Sequence, residues 1–447
     1  MAGPSSNPPL VDLIRREARP LAGLRDVDAI VDLIGDAQVV LLGEATHGTH
    51  EFYLLRAEIT RRLVTEHGFD AVAVEADWPD ALRVSRHVQG EAGPSDAAHA
   101  LSEFTRFPRW MWRNREVLAF VQWLRRHNES MAEADRRVGF YGLDLYSLRR
   151  SKDAVLRYLE RTDPEAARQA RRRYDCFDHL ADEPQLYGQA TRFGRMPDCE
   201  REVLAQFRAL MQADAGGSPV GDELFYAQQN ARVVRHAEQY YRVMFEGHVE
   251  SWNLRDRHMA STLEALIDHL SVQRRRAARV VVWAHNSHVG DARATEMGER
   301  GELNLGQLVR ERYPGACFLL GFTTHTGSVA AATDWDEPVE WKRIMPSRAD
   351  SIERRLHDCG VGRFVLPLQG RLKEPLATRG LLERAIGVIY RPETERWSHY
   401  FGARVSLQFD ALVHWDTTRA VTPLDPSHLW SPAAPGEEVP ETYPFGM

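Results

Sequence analysis

One pattern constrains this chain more than any other: short β-branched apolar runs alternate with longer amphipathic segments. Gln38–Leu42, Ala71–Val74, Val138–Tyr141, Arg279–Trp283 and Ala316–Gly321 read as strands, and Arg363–Leu366, Ala385–Ile389 and Ala411–His414 are further candidates. Such near-continuous apolar runs suit parallel strands covered on both faces. Between the first two, Phe52, Leu55, Ile59 and Leu63 repeat at helical spacing, and Gly68 stands where a C-cap is needed. Strand alternating with helix predicts an α/β fold, a mostly parallel central sheet flanked by helices with right-handed crossovers.

The rhythm breaks between Asp144 and Arg274, where only amphipathic helical segments occur: Ser151–Arg161, Glu200–Gln212, Leu224–Phe245 and Asp256–Leu270. The chain, at 447 residues, has more length than one ordinary core needs. The expected organisation is an α/β core over 10–148 and 276–425, with a large all-helical insertion over 149–275 covering the cleft. A Pro-rich tail, 426–447, is expected to lie loosely over the surface.

A net charge of −7 argues weakly against a nucleic-acid or anionic-membrane partner. No stretch approaches 18 uninterrupted apolar residues, and the polar, Pro-rich N-terminus lacks the apolar run of a signal peptide. Cys176, Cys199, Cys317 and Cys359 form no CxxC pair or metal-type spacing, so four free thiols in a cytoplasmic protein are expected.

Ionisable residues gather at the strand ends. The first strand runs into Gly43-Glu44-Ala45-Thr46-His47-Gly48, the second ends in Glu75, the third in Asp144 and the fourth in His285-Asn286-Ser287-His288. Ligands bind outside the carboxyl ends of strands in open α/β sheets, and a carboxylate beside an imidazole fixes its tautomer for general-base work. Core packing does not explain four such ends together. His47-Gly-Thr-His50-Glu51 is neither His-Glu-x-x-His nor His-x-x-Glu-His, so no zinc-protease geometry is encoded. A divalent ion held by Glu44, His47, His285 and His288 stays open as an alternative.

Gly-x-Ser-x-Gly, the Gly-rich phosphate loop and the dinucleotide fingerprint are all missing. Phe107-Pro-Arg-Trp-Met-Trp-Arg-Asn reads equally as a substrate wall or as packing. Trp252-Asn253-Leu-Arg255 reads as a helix opening with Asn253 as N-cap; Arg255 can reach the cleft to bind a carbonyl or carboxylate, with surface ion pairing as the default reading. Arg274-Arg-Arg reads as solvated surface.

Several motifs in order resemble the erythromycin esterase family. They are Leu-Gly-Glu44-Ala-Thr-His47-Gly, Val-Glu75-Ala-Asp-Trp-Pro-Asp, Gly-Leu-Asp144-Leu-Tyr, Trp-Asn-Leu-Arg255-Asp-Arg-His, Trp-Ala-His285-Asn-Ser-His288 and Gly-Phe-Thr-Thr-His-Thr-Gly. Arg-Pro-Glu-Thr-Glu-Arg-Trp-Ser-His-Tyr-Phe fits as well, and together they span about residues 10–425. The wording is closer to the widespread, largely uncharacterised bacterial branch than to the macrolide-resistance enzymes. The resemblance implies ester or lactone hydrolysis with no metal, no other cofactor and no covalent intermediate. By resemblance, His47 deprotonates a water, Glu44 orients His47, and Glu75 and His288 complete the site. His285 with Arg56, early in the first helix, positions water or stabilises the oxyanion. The implied partner is a small-molecule ester of unstated identity. A metal-dependent hydrolase using the same cluster and a non-catalytic small-molecule binding protein are the alternatives.

Overall fold

Among the described residues nine strands form one mixed, mostly parallel sheet, and a two-stranded ribbon stands apart from it. The computed structural model describes residues 8–91, 93–133, 136–177, 184–193, 198–213, 221–245, 247–378 and 380–430. The strands are β1 (Arg19–Pro20), β2 (Val39–Leu42), β3 (Ala71–Asp77), β4 (Gly139–Asp144), β5 (Val280–Trp283), β6 (Cys317–Ala331), β7 (Glu340–Ile344), β8 (Arg363–Pro367), β9 (Leu381–Arg384), β10 (Tyr400–Ala403) and β11 (Ala411–Thr418). The sheet order is β1-β8-β11-β6-β2-β5-β3-β4, with β7 pairing β6 and β9 pairing β10 in the ribbon. β11, β6, β2, β5, β3 and β4 run parallel to one another, while β1, β7 and β8 pair antiparallel.

The apolar runs fill both faces because strand side chains alternate. Val40, Leu42, Val72, Val74, Phe140, Val281 and Trp283 join one apolar cluster. Val39, Leu41, Ala71, Ala73, Tyr141, Val280 and Val282 join another on the opposite face. The first cluster takes in the helix His50–His67, which ends at Gly68 in the left-handed conformation with φ 65°. The second takes in the helix His248–Arg274.

Among the described residues between Asp144 and Val280 every regular element is helical: Leu148–Thr162, Pro164–Tyr174, Asp175–Phe177, Pro184–Arg192, Glu200–Met211, Gly221–Val243 and His248–Arg274. The first six share a cluster of their own, including Leu148, Val155, Tyr174, Phe177, Tyr187, Val203 and Val234. Among the described residues no helix is long and apolar enough to cross a membrane.

Four expectations are corrected. Ala385–Ile389 is not a strand: β9 ends at Arg384, and only the isolated bridges Ile386–Thr46 and Ile389–Ala332 follow. Asn253 is not an N-cap, because its helix begins at His248; its side chain instead donates to Gly301 O and accepts from Leu303 N–H. Arg274 and Arg276 are not free surface, since both clamp Asp70 at the start of β3, and Arg275 between them takes the left-handed turn that ends the helix. Cys176 and Cys199 are joined as a disulfide, leaving Cys317 and Cys359 as free thiols. Of the tail, Pro423 pairs with Asn114 and Leu424 N–H bonds Arg113 O, while 431–447 lie outside the described residues.

Candidate active site

Sheet order, which the sequence does not reveal, sets the site. β5 lies between β2 and β3, and β4 follows β3. The carboxyl ends therefore present Glu44 and His47, then His285 and His288, then Glu75, then Asp144, side by side. Asn286 locks the first two turns together. Its N–H donates to Glu44 O at 2.8 Å, and its amide bonds both the N–H and the carbonyl of Phe322 on β6. A Cβ at position 43 would collide with Asn286 Oδ1, and one at 48 would collide with the Ala330 carbonyl, so both glycines are close-approach positions.

His47 is buried, and its Nδ1 lies 2.9 Å from Glu44 Oε1. The other Glu44 oxygen accepts from Arg56 Nη2 at 2.8 Å. Arg56 is wholly buried beneath the Tyr53 and Trp283 rings. It therefore braces Glu44 through Nη2, while its Nε and Nη1 have no hydrogen-bond partner among the described residues. With Nδ1 donating to Glu44, the lone pair of His47 is at Nε2. That atom faces Glu75 Oε1 at 4.0 Å, a gap that one water can bridge.

Glu75 is held as an anion. Burial pushes its carboxyl up, but His288, His47, Arg255 and the His285 N–H outweigh it and hold it well below the ordinary range. Its Oε1 accepts from Arg255 Nη2 at 2.7 Å and its Oε2 from His285 N–H at 2.9 Å. Arg255 also grips Asp144 with two bonds of 3.0 and 2.7 Å.

His285 packs against His47, ring centroids 4.8 Å apart. Burial first, then His47, pushes its imidazole down to about 3, so it is neutral. The Ser287 N–H donates to its Nδ1 at 3.2 Å, which places the proton on Nε2. That Nε2 is buried with no partner among the described residues. His288 sits behind, stacked on Trp252, with Nδ1 at 2.8 Å from Asp256 Oδ1. Burial lowers the His288 imidazole, yet Asp256 and Glu75 prevail and raise it. The neutral ring accepts Arg255 Nη1 at Nε2, 3.0 Å away, and the protonated ring faces Glu75 Oε1 at 3.4 Å.

All eight singled-out residues thus belong to one connected network. The metal-like His50-Glu51 pair leaves it: His50 binds Glu116 and Glu51 binds Arg419. Sequence reasoning did not single out Asp256, Asn286, Ser287 or Tyr53, whose hydroxyl donates to the His47 carbonyl. Asp256 and Asn286 stand inside the quoted motifs, so their neighbours were the available signal. Of the Phe107–Asn114 segment, Trp110 and Trp112 pack in the core, while Phe107 and Trp110 also line a cavity of about 490 Å³ whose walls, Arg113, Asp336, Val339 and Pro423 among them, include none of the network's residues.

Comparison with known proteins bears on the fold and the family. The chain is 22% identical to erythromycin esterase type II of Escherichia coli, over 75% of this chain and 82% of that protein. Its fold resembles that of a Bacillus cereus protein, at 19% identity and a TM-score of 0.77, covering 93% of this chain and 98% of the other. A solved erythromycin esterase mutant in its open conformation matches at 17% identity and a TM-score of 0.63, over 90% and 98% of the two chains. The erythromycin esterase family model matches residues 64–418, and the chain belongs to that family.

Proposed function

We propose that the protein hydrolyses a carboxylic ester or lactone by direct attack of water, with His47 as general base. The observation that carries this is the position of His47, held at Nδ1 by Glu44 with Nε2 turned to Glu75 across 4.0 Å. A water bound to both is deprotonated by Nε2 as it attacks the ester carbonyl. Glu75 orients that water and balances the imidazolium that forms on His47. The His285 Nε2–H is a preorganised donor for the carbonyl oxygen as it becomes an oxyanion. Proton return from His47 to the departing alkoxide completes the reaction with no bond to the protein.

The proposal uses no metal, and two of the four candidate ligands have competing partners. Both Glu44 oxygens are engaged by His47 and Arg56, and His288 Nδ1 is engaged by Asp256.

Chelation tests this reading. Exhaustive treatment with EDTA should leave ester hydrolysis at its starting rate. Loss of activity on stripping, with recovery on adding one divalent ion, would overturn the metal-free reading in favour of a metal-dependent hydrolase.

A further inference from the structure

The ionic network does not stop at Glu75. Asp144 is the cross-strand partner of Asp77, and Asp77 Oδ2 accepts from Arg106 Nε at 2.9 Å. Arg106 and Arg255 both lie against the Tyr146 ring, 4.6 and 5.1 Å from its centroid. Beyond them Arg150 pairs with Asp80. His47, Glu75, Arg255, Tyr146 and Arg106 thus form one series, with a 4.0 Å gap between the first two and the Tyr146 ring between the two guanidiniums.

The two signs are unequally placed in this network. The carboxylate side chains of Glu75, Asp77, Asp80 and Asp144 are each at most 5% exposed. The guanidinium side chains face outward: Arg106 is 45% exposed, Arg150 36% and Arg255 15%. Arg150 spends its donors on Asp80, the Glu103 carbonyl and Thr105. Arg106 makes two hydrogen bonds, from Nε to Asp77 and from Nη1 to the Phe107 carbonyl, which leaves Nη2 free among the described residues. An ion pair with Asp77 explains the Nε edge of this side chain. It does not explain a held side chain whose Nη2 is left open, one aromatic ring away from Arg255.

We propose that Arg106 is a specificity residue that binds a carboxylate on the substrate, so that the ester cleaved beside His47 is an anionic one. The planar fork of arginine suits a carboxylate, and Asp77 with Tyr146 holds the fork in place before substrate arrives. This inference rests on the hydrolytic reading for its ester, though not for its anion.

The test compares monoethyl glutarate with ethyl valerate, in which a methyl group replaces the carboxylate, with acid release followed by titration. Wild type should favour the glutarate ester by roughly tenfold or more in kcat/KM, carried mainly in KM and weakened by salt. R106Q should bring the ratio close to one. R106K, which keeps a cation on Asp77, should fall between the two, and it carries the test if R106Q does not fold. A ratio of one in wild type, or an unaltered ratio in both variants, overturns the proposal. Calorimetry with glutarate separates this failure from failure of the esterase reading. Glutarate bound by wild type and lost in R106Q, with neither ester cleaved, upholds the anion site and sinks ester hydrolysis. No glutarate binding at millimolar concentration sinks the anion site.

Discussion

Replacing Glu75 by Gln isolates the charge at the centre of the network while almost preserving its shape. The amide oxygen can still accept the His285 N–H, now bonded at 2.9 Å. The amide nitrogen then faces Arg255 Nη2, where the carboxylate oxygen accepts at 2.7 Å, and sets donor against donor. Losing one charge-assisted bond and opposing two donors in a buried site should destabilise the fold by about 2–4 kcal/mol. Asp144 retains its two bonds to Arg255, so the guanidinium is not stranded. In the reaction, the water loses its second anchor and the His47 imidazolium loses a counter-charge, so kcat/KM should fall by roughly 10²–10³-fold.

Urea unfolding followed by circular dichroism measures the first effect, and hydrolysis of a simple ester the second. Because the folded-state carboxyl is held below its ordinary value of 4.5, its stabilisation is present above that pH. It is lost as pH falls towards the lower folded value. The stability gap between wild type and E75Q should therefore be widest near pH 7 and close in acid. An E75Q protein with the wild-type midpoint at pH 7, or with undiminished kcat/KM, would refute this placement of Glu75.

D256N removes the carboxylate that, with Glu75, raises the buried His288 imidazole; burial should then win, and an NMR titration should place His288 at a lower pH than in wild type. G43A forces a Cβ onto Asn286 Oδ1, and overpacking of this kind should cost about 1–3 kcal/mol and misplace Glu44, seen as a lower melting temperature and a reduced kcat. The Cys176–Cys199 bond closes a separation of 23 residues, so thiol titration of the unfolded, unreduced chain should find Cys317 and Cys359 alone, and C176S/C199S should lose about 3 kcal/mol in urea. Four titratable thiols before reduction would contradict that bond.

Much of the fold was legible because parallel strands buried on both faces leave continuous apolar runs that periodicity detects. Val39–Leu42 and Val280–Trp283 are such runs. Ala385–Ile389 is similarly apolar, but with Gly387 at its centre, and it fails as a strand: Ile386 and Ile389 meet only single partners across the loop. The site residues were visible as ionisable groups where strands end. Their order was not, because the placement of β5 between β2 and β3 is a tertiary choice with no local signature. Arg56 shows the same limit. Its position in the helix places it near Glu44, but only the packing of Tyr53 and Trp283 shows that it stands behind the carboxylate. The disulfide was missed for a related reason: Cys176 and Cys199 are brought together by the helical cluster around Tyr174, Phe177 and Tyr187.

Chemical rescue of a His47 variant tests the central claim most directly. H47G should fold as wild type, hydrolyse ester at least 10²–10⁴-fold more slowly, and regain activity in proportion to added imidazole, as a missing general base requires. Hydrolysis by H47G at the wild-type rate would contradict the role given to His47.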